Sequence, residues 1–180
     1  MYDLDYYENM LRMYSKTAEE ICRIRWEFIT DFLGIGDKGK SHTILDYGSG
    51  VGWFRAWRPR GKNVKVYSFD IASYPQTGLD LQIFDCTCFW DVLEHLPDFK
   101  VIEPILALSK HVAISLPIAP DDLSNLKDWK HWKPGEHLHY FTSDSLGALF
   151  AEYGFYPLVE KNVECPPRTD IRSFIFRREP

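Results

Sequence analysis

The chain has no apolar run close to the roughly 20 residues that a membrane-spanning helix needs. Its N-terminus, MYDLDYYENM, is acidic and has neither the basic segment nor the apolar stretch of a signal peptide. None of the four cysteines forms a C-x-x-C pair. We therefore expect an intracellular, cytoplasmic protein without a membrane partner, in which reduced cysteines serve as small apolar residues.

The sequence also lacks a basic stripe. Its net charge is −5, and its positive charges gather only modestly, in segments 55–65 and 168–178. Proteins that bind a polyanion normally carry a continuous basic surface, whereas these two segments fit ordinary solvated surface. We therefore expect no nucleic-acid partner. The oligomeric state cannot be read from the sequence.

Helical patterns come first along the chain. Residues 17–33 place their apolar side chains on one helical face, Gly34 is a suitable stop, and DYYENMLRMYS before them indicates another, shorter helix. Strand-like and helical segments then alternate, and the last two strands follow each other directly. This order predicts one α/β domain over residues 1–180, with a helical cap (1–40) and a core (41–180). The core is expected to be a doubly wound, mostly parallel sheet with an antiparallel C-terminal edge.

The stretch TILDYGSGVGWF places three glycines at alternate positions directly after an apolar run. Such a turn lies where open α/β sheets bind ligands, at the carboxyl ends of their strands. Phosphate does not suit this turn, because it lacks a lysine, misses the G-x-G-x-x-G spacing and carries Asp46, which would repel a pyrophosphate. A cationic or zwitterionic ligand suits the carboxylate. S-adenosylmethionine, with a sulfonium, an ammonium and no phosphate, is such a ligand.

Segments spread over most of the chain resemble, in the correct order, the signatures of class I S-adenosylmethionine-dependent methyltransferases. The late segment is similar to the small-molecule branch of that family. The segments are ILDYGSGVG, VYSFDI, FDCTCFWDVLEHLPD, HVAISLPIAP and GEHLHYFTSDSLGALFAEYGF. The resemblance implies a Rossmann-like fold, S-adenosylmethionine as cofactor, and methyl transfer to a small molecule, with oxygen as the expected acceptor atom.

The resemblance also implies a set of cofactor-binding residues. In the family the acid that ends the second strand, here Asp70, accepts hydrogen bonds from the ribose hydroxyls. Only 13 residues separate Asp70 from Phe84, too few for the helix and third strand that the family has there, so we expect this unit to be shortened. Asp80 is the candidate for the adenine amino group, with a solvated loop acid as the alternative, and Trp90 contacts either the adenine or the core. The full set is Asp46, Tyr47, Gly48, Ser49, Gly50, Asp70, Ile71, Asp80 and Trp90.

The segment HWKPGEHLHYF supplies the candidates for the acceptor side. A histidine with an ordinary pKa suits general-base catalysis, and the resemblance favours His137, although Glu136 and His137 are as well explained by hydrogen bonds that fix the loop. Glu136, Tyr140 and Tyr7 are candidate substrate contacts, the last as part of a lid. His137 and His139 share a face if the segment is extended. Without another strong ligand, however, no metal is expected.

Other readings remain open beside this one. Glu94 and His95 begin the segment after the third predicted strand, where an acid complements a helix dipole, so we expect structural roles for both. The nitrogen-acceptor motif N/D-P-P-Y and a Pro-Cys nucleophile are both missing at that position.

The alternative function is an inactive regulatory module that binds S-adenosylmethionine or S-adenosylhomocysteine. A nicotinamide-dependent oxidoreductase conflicts with Asp46 and with the glycine spacing.

Overall fold

Strands and helices alternate through most of the computed structural model. It describes the backbone of residues 4–35, 39–71, 82–120, 122–166 and 168–179, with side chains from residue 17 onward. The α-helices in this part are α1 (Leu4–Leu33), α2 (Trp53–Ala56), α3 (Glu103–Ala107) and α4 (Ser143–Glu152). The strands are β1 (His42–Tyr47), β2 (Val64–Phe69), β3 (Cys86–Trp90), β4 (His111–Pro117), β5 (Phe155–Lys161) and β6 (Ile171–Arg178). Short 3-10 turns cover Leu93–His95, Phe99–Ile102 and Leu123–Asp128.

The six strands form one sheet in the order β2-β1-β3-β4-β6-β5. β1 pairs in parallel with β2 and β3, and β3 pairs in parallel with β4. β6 is antiparallel to both β4 and β5. The predicted mostly parallel sheet with an antiparallel C-terminal edge is confirmed. Because β1 to β4 run in parallel, their carboxyl ends meet at one edge, which we call the carboxyl edge.

The two faces of the sheet are buried by different elements. On one face, Ile44 of β1 and Cys86 and Cys88 of β3 pack with Trp26 and Ile29 of α1. On the other face, aromatic and aliphatic side chains of β3, β4 and β6 pack against α3 and α4. The four cysteines are free thiols, as expected. Although α1 has 30 residues, neither it nor any other described helix has the apolar length that crossing a membrane requires.

Two predicted helical boundaries are wrong. A single helix, α1, replaces the two N-terminal helices, because no glycine or proline interrupts residues 4–33. The segment LPDFKVIEPILALS, residues 96–109, is predicted from its sequence to be one helix. In the structure a 3-10 turn followed by the short α3 takes its place. Pro104 lies in the first turn of α3, where its missing N–H is tolerated and where a longer helix through it would lose a hydrogen bond.

Further predictions concern the shortened unit after β2, two candidate site residues and the tryptophans of α2 and its end. In the described part of the chain, β2 is an edge strand. The shortened unit and Asp80 fall within residues 72–81, which lie outside the described residues, as does the side chain of Tyr7. The sequence places Trp53 and Trp57 in a short helical segment after the glycine turn, and the prediction is that both pack this helix onto the sheet. Trp53 packs against the core, but Trp57 is 44% exposed, so the prediction for Trp57 is wrong.

The attachment of α1 to the sheet can be tested at Ile29, which is fully buried. Ile29→Ala is expected to lower the free energy of unfolding by about 2–5 kcal/mol, because it removes buried methyl groups and leaves a cavity. Glu19→Ala, at an exposed position of the same helix, should change it by at most about 0.5 kcal/mol. Urea unfolding followed by tryptophan fluorescence measures both. Equal losses would contradict this packing.

Candidate cofactor and acceptor site

The glycine turn after β1 has a backbone that other residues adopt poorly. Gly48, Gly50 and Gly52 have φ values of 73°, 54° and 80°, in the left-handed region. A Cβ atom added to Gly48 would come within 2.5 Å of Cγ2 of Val92. Glycine at position 48 is therefore required both by the backbone and by the close approach of the chain that follows β3.

Hydrogen bonds tie this turn to the end of β2. The N–H groups of Gly48 and Ser49 donate to the carbonyl of Phe69, at 2.7 and 3.0 Å. The N–H of Gly50 donates to Oδ2 of Asp70 at 3.0 Å. Asp70 is only 5% exposed. The glycine turn and the acid predicted to meet the ribose thus form one corner of the carboxyl edge.

Asp46 is a buried carboxyl at this corner. It is 2% exposed, and Oδ2 has no hydrogen-bond partner among the described residues. Its pKa is raised to about 7, mainly by burial; the charge of Arg25 opposes the rise, and that of Asp70 adds to it. An acid held here without a full set of partners has the chemistry to receive a cationic group.

The other predicted cofactor residues lie at differing positions around this corner. Tyr47 points to the opposite face of β1 and packs its ring on Phe69 and Phe89, at 4.8 and 5.3 Å between ring centroids. Ile71 is 82% exposed directly after Asp70. Oγ of Ser49 is buried without a hydrogen-bond partner in the described part of the chain. These three residues therefore lie around the corner. The polar groups at its centre are the glycine backbone, Asp46 and Asp70.

Trp90 lies beneath α1. Its ring packs against Phe54, with ring centroids 5.3 Å apart, and the guanidinium of Arg25 lies 5.1 Å from its ring centroid. Trp26 of α1 stacks on Phe54 at 4.2 Å and donates its indole N–H to the Phe54 carbonyl. Trp90 thus contacts the core, and its contact with the adenine stays a prediction.

An ion-pair network, which we did not predict, follows β3. Arg25 of α1 contacts Asp91 at 2.6 Å and Glu164 at 2.7 Å. Arg168 contacts the same two acids, at 2.5 and 2.8 Å. Although burial opposes it, the two arginines hold the pKa of Asp91 well below its ordinary value. Asp91 also has a φ of 56°, in the left-handed region that non-glycine residues rarely adopt. Sequence spacing does not predict this network, because Arg25 and Glu164 are 139 residues apart.

The loop of residues 136–139 folds back onto the 3-10 turn Leu93–His95. The N–H groups of Leu138 and His139 donate to the carbonyl of Glu94 at 2.7 and 3.2 Å. Nδ1 of His95 forms a hydrogen bond with the carbonyl of Glu136 at 2.9 Å. The rings of His95 and His137 meet edge to face, 4.8 Å apart. The loop is thereby fixed, and His137 is placed beside Glu94 and His95, which had been assigned structural roles alone.

Glu94 and His137 are both buried in this loop region. The pKa of Glu94 is raised to about 8, mainly by burial and in part by the nearby charge of Asp91. Burial lowers the pKa of His137, and His95 and Lys133 lower it further. His139 is turned away and forms a hydrogen bond with the Leu96 carbonyl. His137 and His139 therefore do not act as the pair that their spacing allowed.

Aromatic side chains line the region next to His137. Tyr140 stacks on Trp132 at 4.8 Å, and its hydroxyl is buried without a hydrogen-bond partner among the residues described. The ring of His131 lies nearly parallel to that of His137, with centroids 6.4 Å apart. Glu136 forms an exposed salt bridge with Lys133 at 3.1 Å. Tyr140 thus belongs to the buried part of this region and Glu136 to its rim.

Comparison with known proteins identifies the family. A family model described as a methyltransferase domain matches residues 14–160. The chain belongs to this methyltransferase domain family. The match spans the glycine turn, Asp70 and the loop of residues 136–139, and it confirms the resemblance to class I methyltransferases. No curated protein gives a significant match.

Solved structures share the fold over nearly the whole chain. Magnesium protoporphyrin IX methyltransferase from Synechocystis PCC 6803, with bound SAH, is 15% identical, covering 98% of this chain and 96% of that one, with a TM-score of 0.67. The 1,6-didemethyltoxoflavin-N1-methyltransferase of Burkholderia thailandensis is 17% identical, covering 97% and 87%, with a TM-score of 0.64. The 16S rRNA methylase ArmA is 17% identical, covering 96% and 91%, with a TM-score of 0.53. At such identities the likeness shows the fold alone.

The raised pKa of Asp46 predicts how stability depends on pH. Between the ordinary pKa of an aspartate and about 7, the folded protein holds a proton on Asp46 that the unfolded chain has lost, so stability falls as the pH rises. Asp46→Asn removes this slope. The free energy of unfolding of the variant, relative to the unsubstituted protein, should rise by about 2 kcal/mol between pH 5 and pH 8. Urea unfolding at several pH values measures it, and a difference independent of pH would contradict the assignment.

Proposed function

We propose that the chain transfers a methyl group from S-adenosylmethionine to an oxygen atom of a small-molecule acceptor. The observation that carries the proposal is the corner formed by the glycine turn, Asp46 and Asp70 at the carboxyl edge, in a chain of the methyltransferase domain family. Two of the similar structures were solved with SAH or SAM bound. S-adenosylmethionine, when bound, supplies a methyl group on a sulfonium, which an in-line displacement transfers to the acceptor.

The residues of the corner fit this cofactor. Asp46 offers a buried carboxyl, with an oxygen that has no hydrogen-bond partner in the described part of the chain, to the positive end of the ligand. Asp70, held by the N–H of Gly50, ends β2 where its carboxylate can accept hydrogen bonds from ribose hydroxyls. The glycines lack the Cβ atoms that would keep a ligand away from the backbone. Together they bind and orient the cofactor at the carboxyl edge.

His137 marks the acceptor end. A neutral imidazole carries a lone pair on one of its two ring nitrogens. Because burial lowers its pKa, His137 is neutral near pH 7 and can take the proton that an acceptor hydroxyl loses as its oxygen attacks the methyl carbon. Its support by the turn Leu93–His95 keeps the ring in one orientation.

The chemistry near His137 supports a small acceptor. Trp132 and Tyr140 form an aromatic surface suited to a planar ligand, and the buried Tyr140 hydroxyl offers a polar contact. A net charge of −5 makes an RNA acceptor a poor electrostatic match. Two of the similar structures are named for methylating magnesium protoporphyrin IX and 1,6-didemethyltoxoflavin, both small molecules. We therefore propose a hydroxylated, planar metabolite as the acceptor class.

The cofactor corner can be tested with two substitutions. Asp70→Ala removes the ribose acceptor, and Gly48→Val forces a branched side chain into Val92 at a left-handed position. Both should raise the Kd of S-adenosylhomocysteine by about 10- to 100-fold or more. The thermal stabilisation that this ligand gives should be lost accordingly.

Two matched substitutions serve as controls in that experiment. Asp31→Ala lies at an exposed position of α1, and Gly147→Ala adds a methyl group that meets no atom within 4 Å. Both should keep the ligand-induced shift in Tm. Retention of the full shift in Asp70→Ala and in Gly48→Val would remove the corner from the binding site.

The role of His137 has a separate test. With an acceptor found by screening hydroxylated compounds for methylation, His137→Ala should lower kcat by about 100-fold or more. The affinity for S-adenosylhomocysteine should change by less than about threefold, because His137 lies at the acceptor end. His111→Ala, at the opposite edge of the sheet, is the control for kcat. Unchanged turnover in His137→Ala would exclude the histidine from the mechanism, and no turnover with any acceptor would favour the inactive regulatory module.

A further inference from the structure

Glu94, His95 and His137 bring three ligand atoms of the kinds that bind transition metals to one place. The carboxylate oxygen and the two ring nitrogens all lie within 4.8 Å of one another. Nε2 of His95 is 3.9 Å from Oε1 of Glu94. Bonds of about 2.0–2.2 Å to one ion require ligand atoms about 3–3.5 Å apart. Side-chain movements of roughly an ångström would therefore complete a site.

His95 is held in a way that is common for metal-binding histidines, with one ring nitrogen donating to a backbone acceptor. A carbonyl oxygen can only accept a hydrogen bond. Nδ1 of His95 faces the Glu136 carbonyl at 2.9 Å, so Nδ1 carries the proton, and Nε2 lies on the Glu94 side, 3.9 Å from Oε1. The edge-to-face contact with His95, at 4.8 Å between ring centroids, places the ring of His137 beside it.

Glu94 supplies an independent reason to place a cation here. Its side chain is almost fully buried, and Oε2 has no hydrogen-bond partner among the described residues. A buried polar group left unsatisfied destabilises a protein by about 1–3 kcal/mol, and a charged group by more. As a residue with a purely structural role Glu94 would be unfavourable, whereas a bound cation would satisfy both the charge and the oxygen.

The surrounding hydrogen bonds make the three residues a rigid set. Two N–H groups of the 136–139 loop donate to the Glu94 carbonyl, and Nε2 of His139 bonds to the Leu96 carbonyl at 2.8 Å. The turn that carries Glu94 and His95 and the loop that carries His137 are therefore joined on both sides of the cluster. A site held in this way needs little reorganisation when a metal binds.

We propose that Glu94, His95 and His137 form a binding site for a divalent transition-metal ion at the carboxyl edge of the sheet. Two imidazoles and one carboxylate suit Zn²⁺, Fe²⁺, Mn²⁺ or Co²⁺ rather than Ca²⁺ or Mg²⁺, which prefer sets made entirely of oxygen. Three protein ligands leave at least one position open for another oxygen atom. This ligand set differs from the sequence-based expectation of no metal.

The consequence for the reaction rests on the proposed function, although binding of the metal does not. With a metal bound, the lone pair of His137 would be coordinated, so the metal would replace His137 as the group that activates the acceptor, acting as a Lewis acid. An acceptor hydroxyl bound at the open position has a lowered pKa, so its proton passes to water and the oxygen is ready to attack the methyl carbon. Phenols and other weakly acidic hydroxyl compounds are the acceptors that benefit most.

Titration of the metal-stripped, full-length protein with Co²⁺, without cofactor or acceptor, tests the site. A Cys165→Ser background removes the one exposed thiol from competition. We expect one Co²⁺ per chain, visible d–d absorption typical of nitrogen and oxygen ligands, and no charge-transfer band from a thiolate. His95→Ala and Glu94→Gln should each weaken binding by more than about tenfold. Circular dichroism checks that both variants remain folded.

His111→Ala is the matched control, since His111 is half-buried at the far end of β4 and should leave Co²⁺ affinity unchanged. Failure of the Cys165→Ser protein to bind Co²⁺, or binding that neither His95→Ala nor Glu94→Gln weakens, would overturn the proposal. Because no cofactor is present, this outcome is distinct from a failure to bind S-adenosylhomocysteine. A protein that binds the metal but no S-adenosylhomocysteine would keep the metal site and lose the proposed function.

Discussion

Acidic side chains buried at the carboxyl edge of the sheet are the constraint around which the site is arranged. Asp46, Asp70, Asp91 and Glu94 all follow or end parallel strands there, and each is buried or half-buried. A carboxylate removed from water must be paired, protonated or bound to a ligand. Different acids along this edge are stabilised in different ways. We assign function to those acids whose carboxylate oxygens lack a full set of partners in the described part of the chain.

The buried acids of the carboxyl edge are stabilised in different ways. At the end of β3, Asp91 is neutralised by Arg25 and Arg168, so this acid is structural and links α1 to the C-terminal region. Asp46 and Glu94 have no such direct partner on one oxygen in the described part of the chain, and burial raises the pKa of both. A cationic cofactor beside the first and a metal beside the second account for this contrast. The charge of Arg25, on α1, lowers the pKa of Asp46. The packing of α1 therefore influences the electrostatics of the cofactor corner.

The cofactor corner was predictable because its determinants are local in sequence. Short apolar runs that alternate with helical segments indicated the strands, and the glycines with Asp46 and Asp70 indicated the turn and the adjacent acid. The acceptor end was not predictable in the same way. His137 reaches Glu94 and His95 only because a loop 40 residues later folds back onto the turn after β3, and hydrogen bonds such as that of His139 to Leu96, 43 residues earlier, hold it there. Helix length also failed as a prediction, since neither the continuity of α1 nor the early end of α3 follows from apolar spacing alone.

Direct binding of the cofactor product to the unsubstituted protein tests the central claim. Calorimetric titration with S-adenosylhomocysteine, which is not consumed during the measurement, should show one site per chain with a micromolar Kd, and NADH should give no heat and no competition. Absence of binding by S-adenosylhomocysteine, or its displacement by NADH, would contradict the assignment of the glycine turn, Asp46 and Asp70 to S-adenosylmethionine.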